Sequence, residues 1–254
     1  MSAVPHTSDF TLLHRGLLDP ALDAERLHTR FAAQGYLQIE NGLRPEVATR
    51  LHRCLAEEVP WSIAYRDEDG PKTIARTDFE RLSPAAQDAF WAQTAALAET
   101  GYQFVYDTYM MISAYLQKRH PDLFLNRIVE QVNSRPWLEF WRTVTGDREI
   151  IKTYVQASRY IAGYYLKNHN DYQAGQERRF AVVINLSRDW EVHWGGLFQA
   201  LDDKGDVKLT LTPKFNSINM FKIPAPHCVS PVADYVTAER LALVCWLRAD
   251  RNPD

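Results

Sequence analysis

Two histidines and one aspartate in the second half of the chain have types and spacing that could bind a metal ion. His169 and Asp171 form a His-x-Asp pair at the end of an apolar, strand-like run, and His227 follows a second apolar run far downstream. Residues i and i+2 of a strand share a face, so the pair could face inward together while the third ligand comes from another strand. Two imidazoles and one carboxylate that leave other positions open are typical of non-haem Fe(II) sites. We therefore predict an iron site with room for a bidentate co-substrate and dioxygen.

The remaining histidines are weaker candidates for metal ligands. His193 is the one plausible rival, but it precedes Trp-Gly-Gly, which is typical of a turn, so we predict a loop or rim residue. The others fall in the N-terminal tail, on predicted helices or in loops. We predict that these are solvated: His6, His14, His28, His52 and His120.

A single arginine, Arg240, opens the last apolar run of the chain, Leu-Ala-Leu-Val-Cys-Trp. A charge at this position must either point to solvent or be paired in the interior. A planar guanidinium can hold a carboxylate through two hydrogen bonds, so Arg240 could anchor a carboxylate co-substrate. Arg178 and Arg179 are alternative anchors in a polar connection. We interpret these two as surface or mouth residues that could meet an anionic substrate.

Composition limits the classes of function. The chain has 254 residues, of which 46% are apolar, and a formal charge of -3, which argues against a broad nucleic-acid-binding surface. Three scattered cysteines are too few for a disulfide framework or a Cys-type zinc site. No apolar stretch is long enough to cross a bilayer, and the N-terminus lacks signal-peptide features. We therefore expect a cytoplasmic protein that acts neither on membranes nor on nucleic acid.

The two halves of the chain differ in their predicted secondary structure. Helical spacing and capping signals dominate residues 1–146. They predict helices from Leu22 to Gly35, from Pro45 through Leu55, over much of Pro84 to Leu116, and from Ser134 to Gly146, with one short strand at Tyr36 to Ile39. The polar segment Ala64 to Thr77 lies between two helices, and we interpret it either as a lid over an active site or as a plain surface loop.

Short β-rich runs separated by turn residues dominate residues 147–250. The predicted strands are Ile150 to Tyr165, Phe180 to Leu186, Gly196 to Leu201, Val207 to Leu211, Ile218 to Ile223 and Leu241 to Leu247. Many short strands at close spacing favour a sandwich or barrel, and the absence of β-α alternation disfavours a parallel sheet. We predict one α+β domain over residues 1–254, in which N-terminal helices buttress a double-stranded β-helix (jelly-roll) barrel.

Several sequence motifs, taken in order, resemble those of one enzyme superfamily. The motifs are R-Y-I-A-G-Y-Y-L-K-N-H-N-D, R-R-F-A-V-V-I-N-L-S-R-D-W, W-G-G-L-F-Q-A-L, P-K-F-N-S-I-N-M-F, P-H-C-V-S-P-V and E-R-L-A-L-V-C-W-L. From about Leu22 to Arg248 the chain resembles the Fe(II)/2-oxoglutarate-dependent dioxygenases of the prolyl-4-hydroxylase-like superfamily, and most closely bacterial relatives of ribosomal-protein prolyl hydroxylases. The order of the motifs is more specific than any one of them.

The resemblance implies roles for individual residues. It implies Fe(II), 2-oxoglutarate and O2 as cofactor and co-substrates, with iron ligands at the three positions already predicted. It assigns contacts with 2-oxoglutarate to Arg240, Tyr160 and Asn185. The interval from His227 to Arg240 is slightly longer than is usual in the family, and Cys245 stands where relatives often have glycine.

The implied reaction is the oxidation of an unactivated C–H bond, coupled to decarboxylation of 2-oxoglutarate to succinate. An aspartate at position 171 favours hydroxylation or desaturation, because similar halogenases have Gly or Ala there. We predict a small-molecule substrate such as an amino acid or natural-product intermediate. The alternatives are a prolyl residue of a protein and, in another class, a non-catalytic jelly-roll binding protein; a zinc hydrolase is disfavoured because no H-E-x-x-H pattern is present.

Seven aromatic residues of the first half have two alternative roles. They could line an apolar pocket, but their spacing favours packing in a helical core. These residues are Tyr102, Phe104, Tyr106, Tyr109, Tyr115, Trp137 and Trp141.

Overall fold

A computed structural model of the chain describes residues 7–251. Within this range the α-helices are α1 (Thr7–Leu13), α2 (Ala24–Gln34), α3 (Pro45–Glu57), α4 (Arg76–Phe79), α5 (Pro84–Thr100), α6 (Met111–Leu116), α7 (Leu125–Val132) and α8 (Arg135–Thr145). The strands are β1 (Tyr36–Glu40), β2 (Ser62–Asp67), β3 (Gly70–Ala75), β4 (Phe104–Tyr109), β5 (Lys152–Tyr160), β6 (Tyr165–His169), β7 (Arg178–Asn185), β8 (Phe198–Leu201), β9 (Val207–Leu211), β10 (Ser217–Lys222), β11 (His227–Val229) and β12 (Arg240–Arg248).

Local signals explain where several helices begin and end. Helix α5 begins at Pro84, and the side chain of Ser83 accepts a hydrogen bond from the backbone N–H of Ala86, as an N-cap does. Helix α2 ends at Gly35, whose φ of 73° lies in the left-handed region that glycine enters without steric cost. The predicted starts at Pro45 and Ser134 are also confirmed, within one residue. Among the described helices, none has the length and apolar character needed to span a bilayer.

The strands form a nearly closed antiparallel barrel. Its strand order is β1-β10-β7-β12-β5-β4-β6-β11-β8-β9, and the β2–β3 hairpin joins it through β4. This arrangement confirms the predicted α+β class and the jelly-roll barrel buttressed by helices.

Alternate side chains of the central strands point to opposite faces of the barrel wall. In β12, Leu241, Leu243 and Leu247 belong to the main core, which the barrel shares with helices α2, α3, α7 and α8. Arg240 and Trp246, on the opposite face of β12, line a cavity inside the barrel. The two-residue period of a strand thus lets one sequence supply both the core and the cavity.

The helix predicted over much of Pro84 to Leu116 is wrong between residues 101 and 110, which separate α5 from α6. Helix α5 ends at Thr100, and Phe104–Tyr109 forms β4, which pairs with β2, β5 and β6. The sequence Phe-Val-Tyr-Asp-Thr-Tyr is rich in the aromatic and β-branched residues that favour strands. The helical prediction gave too little weight to this composition and to Gly101, which interrupts the apolar run.

The predicted polar loop from Ala64 to Thr77 is also wrong. Most of this segment belongs to the β2–β3 hairpin, whose turn is made by residues 67–70, and its last two residues begin α4. No residue of the segment lines the cavity inside the barrel. The hairpin extends the sheet beyond β4 and gives no support to the lid interpretation.

A buried ion pair lies at the end of the last strand. The guanidinium of Arg248, only 1% exposed, donates to Asp250 from Nε at 2.8 Å and from Nη2 at 2.7 Å, and Lys152 Nζ lies 3.4 Å from the same carboxylate. The hydrogen bonds from Arg248, which outweigh the opposite effect of burial, hold the pKa of Asp250 well below its usual value. The ionised carboxylate therefore stabilises the folded state.

We expect Asp250→Asn to lower the free energy of unfolding at pH 7 by about 1.5–3 kcal/mol, the usual contribution of a hydrogen bond to a charged group. Because the folded-state pKa lies below the unfolded value of about 3.9, the stabilisation is complete above roughly pH 5 and is lost as the pH falls below about 4. Urea unfolding of both proteins between pH 3 and pH 7 measures this. Glu139→Gln, which removes a partly exposed partner of Arg142, should cost less than about 1 kcal/mol. A destabilisation by Asp250→Asn that is equal at pH 3 and pH 7 would contradict the prediction.

Candidate metal centre and cavity

Two neighbouring strands bring the three predicted metal ligands together. His169 ends β6 and pairs directly with His227, the first residue of β11, and their ring centroids lie 4.1 Å apart. Asp171 follows β6 by two residues, and its Oδ1 and Oδ2 lie 3.3 Å from His169 Nε2 and 3.6 Å from His227 Nε2. One ligand atom from each residue falls within 4.8 Å of the other two. Among the described residues, this is the one group of His, Cys, Asp and Glu that has such a geometry.

Backbone contacts orient both imidazoles. Nδ1 of His169 lies 3.0 Å from the carbonyl oxygen of Lys167, and Nδ1 of His227 lies 2.8 Å from that of Ala225. A carbonyl can only accept, so each Nδ1 carries a hydrogen, which leaves each Nε2 as the ring nitrogen available to a metal ion. Burial first, and the neighbouring His169 second, lower the pKa of His227 to about 4, which keeps its ring neutral near pH 7. Two lone pairs and a carboxylate that converge in this way fit a divalent cation.

The carboxylate of Asp171 is ionised and held on both sides. Burial would raise its pKa, but His169, His227 and a hydrogen bond from Trp246 outweigh burial and lower the pKa to about 2. The indole Nε1–H of Trp246 donates to Oδ2 at 2.9 Å. Asp171 has a φ of 59°, in the left-handed region that Asp enters more readily than most residues.

A cavity of about 270 Å³ inside the barrel adjoins the three ligands. Strand β5 contributes Gln156, Ser158 and Tyr160, which share one face of the strand, and β12 contributes Arg240 from the adjacent register position. The remaining lining residues are Tyr102, Phe104, Tyr106, Leu166, His169, Asp171, Arg178, Ala181, Val183, Phe198, Phe221, His227, Val229, Val244 and Trp246. The cavity therefore joins the candidate metal ligands, two arginines and an apolar wall.

Arg240 is a buried cation without an anionic partner. Its side chain lines the cavity and the residue is 3% exposed, yet it forms no ion pair within the part of the chain described, and its Nε has no hydrogen-bond partner. Burial lowers the pKa of Arg240, opposed by Tyr160, whose ring centroid lies 4.8 Å from the guanidinium carbon. Burial raises the pKa of Tyr160, because it disfavours the charged phenolate. The phenol therefore stays neutral and can donate a hydrogen bond. An unpaired buried charge is costly, and a carboxylate ligand in the cavity would remove that cost.

Close packing beside Arg240 requires glycine in the Trp-Gly-Gly turn. A Cβ on Gly195 would lie 1.9 Å from the carbonyl oxygen of Pro231, and one on Gly196 would lie 3.2 Å from Cδ of Arg240. Both glycines have positive φ values, 72° and 61°. The turn therefore packs closely against the side chain of Arg240 and limits its movement.

Arg178 and Arg179 have different surroundings. Arg178 lines the cavity with its guanidinium 4.4 Å from the ring centroid of Trp246, and it donates to the side-chain oxygens of Gln176 at 3.0 Å and Gln173 at 2.6 Å. Arg179 lies outside the cavity and pairs with Glu149 on the surface. Of the two alternative anchors predicted from sequence, only Arg178 can meet a ligand in the cavity.

The position of Asn185 does not support the predicted contact with 2-oxoglutarate. Its side chain is fully buried at the end of β7, donates to Ser217 Oγ at 3.2 Å and does not line the cavity. Gln156 and Ser158 occupy the cavity wall instead. Both precede Tyr160 at even intervals on the same strand, so the two-residue period would have identified them.

The aromatic residues of the first half divide into two groups. Tyr102, Phe104 and Tyr106 form one wall of the cavity, and Tyr106 stacks on Tyr160 at 5.3 Å and 19°. Tyr109, Trp137 and Trp141 pack in the main core as predicted, and Tyr115 is exposed. Of the two predicted alternatives, pocket lining holds for these three residues; core packing had been favoured because a helix was predicted over the segment that forms β4.

The other histidines lie away from the cavity. His193 belongs to an exposed 3-10 turn and contacts Glu191 at 3.0 Å. His14 and His120 are exposed, as predicted. His28 and His52 are half-buried, with Nδ1 against the carbonyl oxygens of Val144 and Leu186, so the prediction that they are solvated is wrong. His6 lies outside the described residues.

Comparison with known proteins relates this chain to one family. Residues 155–248, which include all of the candidate metal ligands, match the family model described as the 2OG-Fe(II) oxygenase superfamily. No curated protein matches the sequence.

Three solved structures share the fold at low sequence identity. One is a prolyl hydroxylase from Trichoplax adhaerens in complex with a hypoxia inducible factor oxygen degradation domain peptide fragment (TM-score 0.60, 15% identity, covering 89% of this chain and 90% of the other). Another is an oxidoreductase of the 2OG-Fe(II) oxygenase family from Burkholderia pseudomallei (TM-score 0.59, 13% identity, 91% and 92%). The third is the non-heme alpha ketoglutarate dependent epimerase SnoN from nogalamycin biosynthesis (TM-score 0.51, 14% identity, 90% and 83%).

Proposed function

We propose that this chain, whose residues 155–248 match the 2OG-Fe(II) oxygenase superfamily, is an Fe(II)- and 2-oxoglutarate-dependent dioxygenase that hydroxylates a small molecule carrying an anionic group. In this proposal His169, Asp171 and His227 bind the iron, and Arg240 binds the distal carboxylate of 2-oxoglutarate. Fe(II), 2-oxoglutarate and O2 supply the oxidation: the co-substrate becomes succinate and carbon dioxide, and one oxygen atom enters a C–H bond of the substrate.

The observation that carries the proposal is the unpaired guanidinium of Arg240 in the same cavity as the three ligands. A dicarboxylate bound between the ligand cluster and Arg240 would satisfy a charge that has no ion-pair partner among the described residues. The neutral phenol of Tyr160, packed against the guanidinium, can add a hydrogen bond to the same carboxylate. A non-catalytic jelly-roll protein would have no use for this combination.

The remaining lining residues orient the substrate and exclude water. Ala181, Val183, Phe198 and Phe221 form an apolar surface beside His227, and the aromatic residues of β4 lie next to β5, with which β4 pairs. A dry, fixed environment strengthens the electrostatic contacts of the bound groups and protects reactive species from side reactions. The carboxylate of Asp171 would bind the metal ion where similar halogenases have Gly or Ala, so we propose hydroxylation.

Arg178 supports an anionic substrate. It is the second cation of the cavity, its partners are two glutamine side chains, and within residues 7–251 it forms no ion pair. Burial is the first cause that lowers its pKa and the carboxylate of Asp171 acts in the opposite direction, so a further anion placed beside Arg178 would also favour its charged form. The cavity volume of about 270 Å³ lies near the lower end of the roughly 300–1,000 Å³ usual for ligand pockets, which favours a small substrate.

A protein-bound prolyl residue is the alternative substrate. The Trichoplax relative is a prolyl hydroxylase in complex with a peptide, whereas the epimerase relative is from nogalamycin biosynthesis. The fold alone therefore does not choose between the two classes. The charge of -3 gives no broad basic surface for docking a ribosomal target, which favours the small molecule.

We expect small molecules with a carboxylate, amino acids among them, to accelerate succinate formation by the protein under air with Fe(II) and 2-oxoglutarate. Arg178→Gln should raise the Michaelis constant for an active small substrate by about tenfold or more, because loss of a partner to a charged group costs about 1.5–3 kcal/mol. It should leave the Michaelis constant for the co-substrate within about twofold of the native value. The screen and both constants are measured by succinate release.

Arg179→Gln is the matched control, because Arg179 is adjacent in sequence but pairs with Glu149 outside the cavity. Its Michaelis constant for the substrate should equal that of the native protein. Efficient turnover of a prolyl peptide, with no small molecule accelerating succinate formation, would reject the small-molecule proposal and support the alternative. No succinate formation with any substrate would reject the oxygenase assignment itself.

A further inference from the structure

We propose that Trp246 is a positioning residue for the metal ligand Asp171, an inference that rests on the metal site proposed above. The indole Nε1–H of Trp246 donates to Oδ2 of Asp171 at 2.9 Å, across 75 residues of sequence. Trp246 is 6% exposed, so its N–H has no ready exchange with solvent. The bond therefore holds one oxygen of the carboxylate in place.

Asp171 needs such support because the strand pairing of β6 does not extend to it. It follows the end of β6, outside the ladder, and has a positive φ of 59°. Residues in this region are kept there by their surroundings rather than by intrinsic preference. Oδ2 of Asp171 accepts the hydrogen bond from Trp246, and Oδ1 lies 3.3 Å from Nε2 of His169. The indole thus selects how the carboxylate presents its oxygens to a metal ion.

The indole ring is itself fixed by three neighbours. Strand β12 places Trp246 between Tyr154 of β5 and Ala181 of β7, and the guanidinium of Arg178 lies 4.4 Å from its ring centroid. A cation over an indole face is attracted by the electrons of the ring. The ring therefore cannot turn its N–H away from Asp171 without losing these contacts.

The first test is metal affinity without turnover. Co(II) binding to the metal-free protein, followed by its d–d absorption, should show one site per chain. Trp246→Phe keeps an aromatic ring but removes the donor, and we expect the Kd for Co(II) to rise about 10- to 100-fold, as for other partners that hydrogen-bond to metal ligands. Trp137→Phe is the control, because it also removes a buried indole hydrogen bond, to Thr153 at 3.2 Å, but far from the cavity. Its Kd should stay within twofold of the native value.

The second test separates positioning of Asp171 from a general structural effect. Asp171→Gly suits the positive φ and leaves a weaker two-histidine site, in which Trp246→Phe should change the Kd for Co(II) by less than twofold. A loss that is equal in both backgrounds would overturn the proposal, as would a folded Trp246→Phe protein with native affinity.

A third measurement does not depend on the folding of any Trp246 variant. In the Asp171→Gly protein, one indole N–H resonance should move upfield and exchange faster with water, relative to the native protein. Unchanged indole resonances would overturn the proposal. If the native protein binds no Co(II), both the proposed metal site and the positioning role are wrong. If His169→Ala abolishes Co(II) binding but Trp246→Phe does not weaken it, only the positioning role is wrong.

Discussion

Replacing either histidine of the ligand cluster by alanine should abolish stoichiometric Fe(II) binding. His169 and His227 face each other across adjacent strands, and backbone carbonyls direct both Nε2 atoms at Asp171. Partners that only hydrogen-bond to metal ligands already change affinity about 10- to 100-fold, so loss of a ligand should weaken binding by more than about 100-fold. Iron bound per chain, measured after anaerobic loading and gel filtration, should fall from one to near zero, and succinate formation should stop.

His193→Ala is the matched control for this experiment. His193 is the rival ligand by sequence, and the structure places it in an exposed turn against Glu191. The variant should keep one iron per chain and native turnover. Iron occupancy that persists in both His169→Ala and His227→Ala, or that disappears in His193→Ala, would refute the ligand assignment.

Arg240→Ala should raise the Michaelis constant for the co-substrate 2-oxoglutarate by roughly two to three orders of magnitude while iron binding persists. Removal of one partner of a buried charge pair costs about 3–5 kcal/mol, and each 1.4 kcal/mol is a factor of about ten. Arg240→Lys should rescue only part of the loss, because an ammonium lacks the planar fork that grips both carboxylate oxygens. Binding of 2-oxoglutarate to the iron-loaded protein under nitrogen, by calorimetry, measures the same loss without turnover.

Arg179→Gln serves as the control, since Arg179 has the same charge but lies outside the cavity. It should leave the affinity for 2-oxoglutarate unchanged. An unchanged affinity in Arg240→Ala would reject the assignment, and a large loss in Arg178→Gln would transfer the role to Arg178, the other arginine of the cavity.

Local patterns in the sequence determined much of this protein. The helix limits at Gly35, Pro45 and Ser83 depend on capping and on φ preferences within a few residues, and the structure agrees with them. Short β-rich runs separated by turn residues identified most of the barrel strands, because turn residues mark where a strand must end. The order of the motifs, more than any single one, predicted the superfamily, and the family match over residues 155–248 confirms it.

Pairing between distant segments was decided only by the tertiary structure. Phe104–Tyr109 became a strand because β2, β5 and β6 offer hydrogen-bond partners on both sides, and no pattern within six residues encodes those partners. The aromatic wall of the cavity follows from that pairing. Tyr102 and Tyr106 therefore face the candidate active site, although sequence reasoning favoured a helical core.

The same reason explains why the surroundings of individual side chains could not be predicted from the sequence. Asn185 lies on the correct strand but beyond the cavity, because the register of β7 against β10 and β12 sets its depth in the barrel. The apolar run around Trp246 predicts only packing, yet the closure of the barrel brings its indole N–H to Asp171. Spacing along a chain fixes which face a side chain shares with its neighbours. The register of strands far apart in sequence fixes what that face meets, because it depends on the packing of the whole barrel.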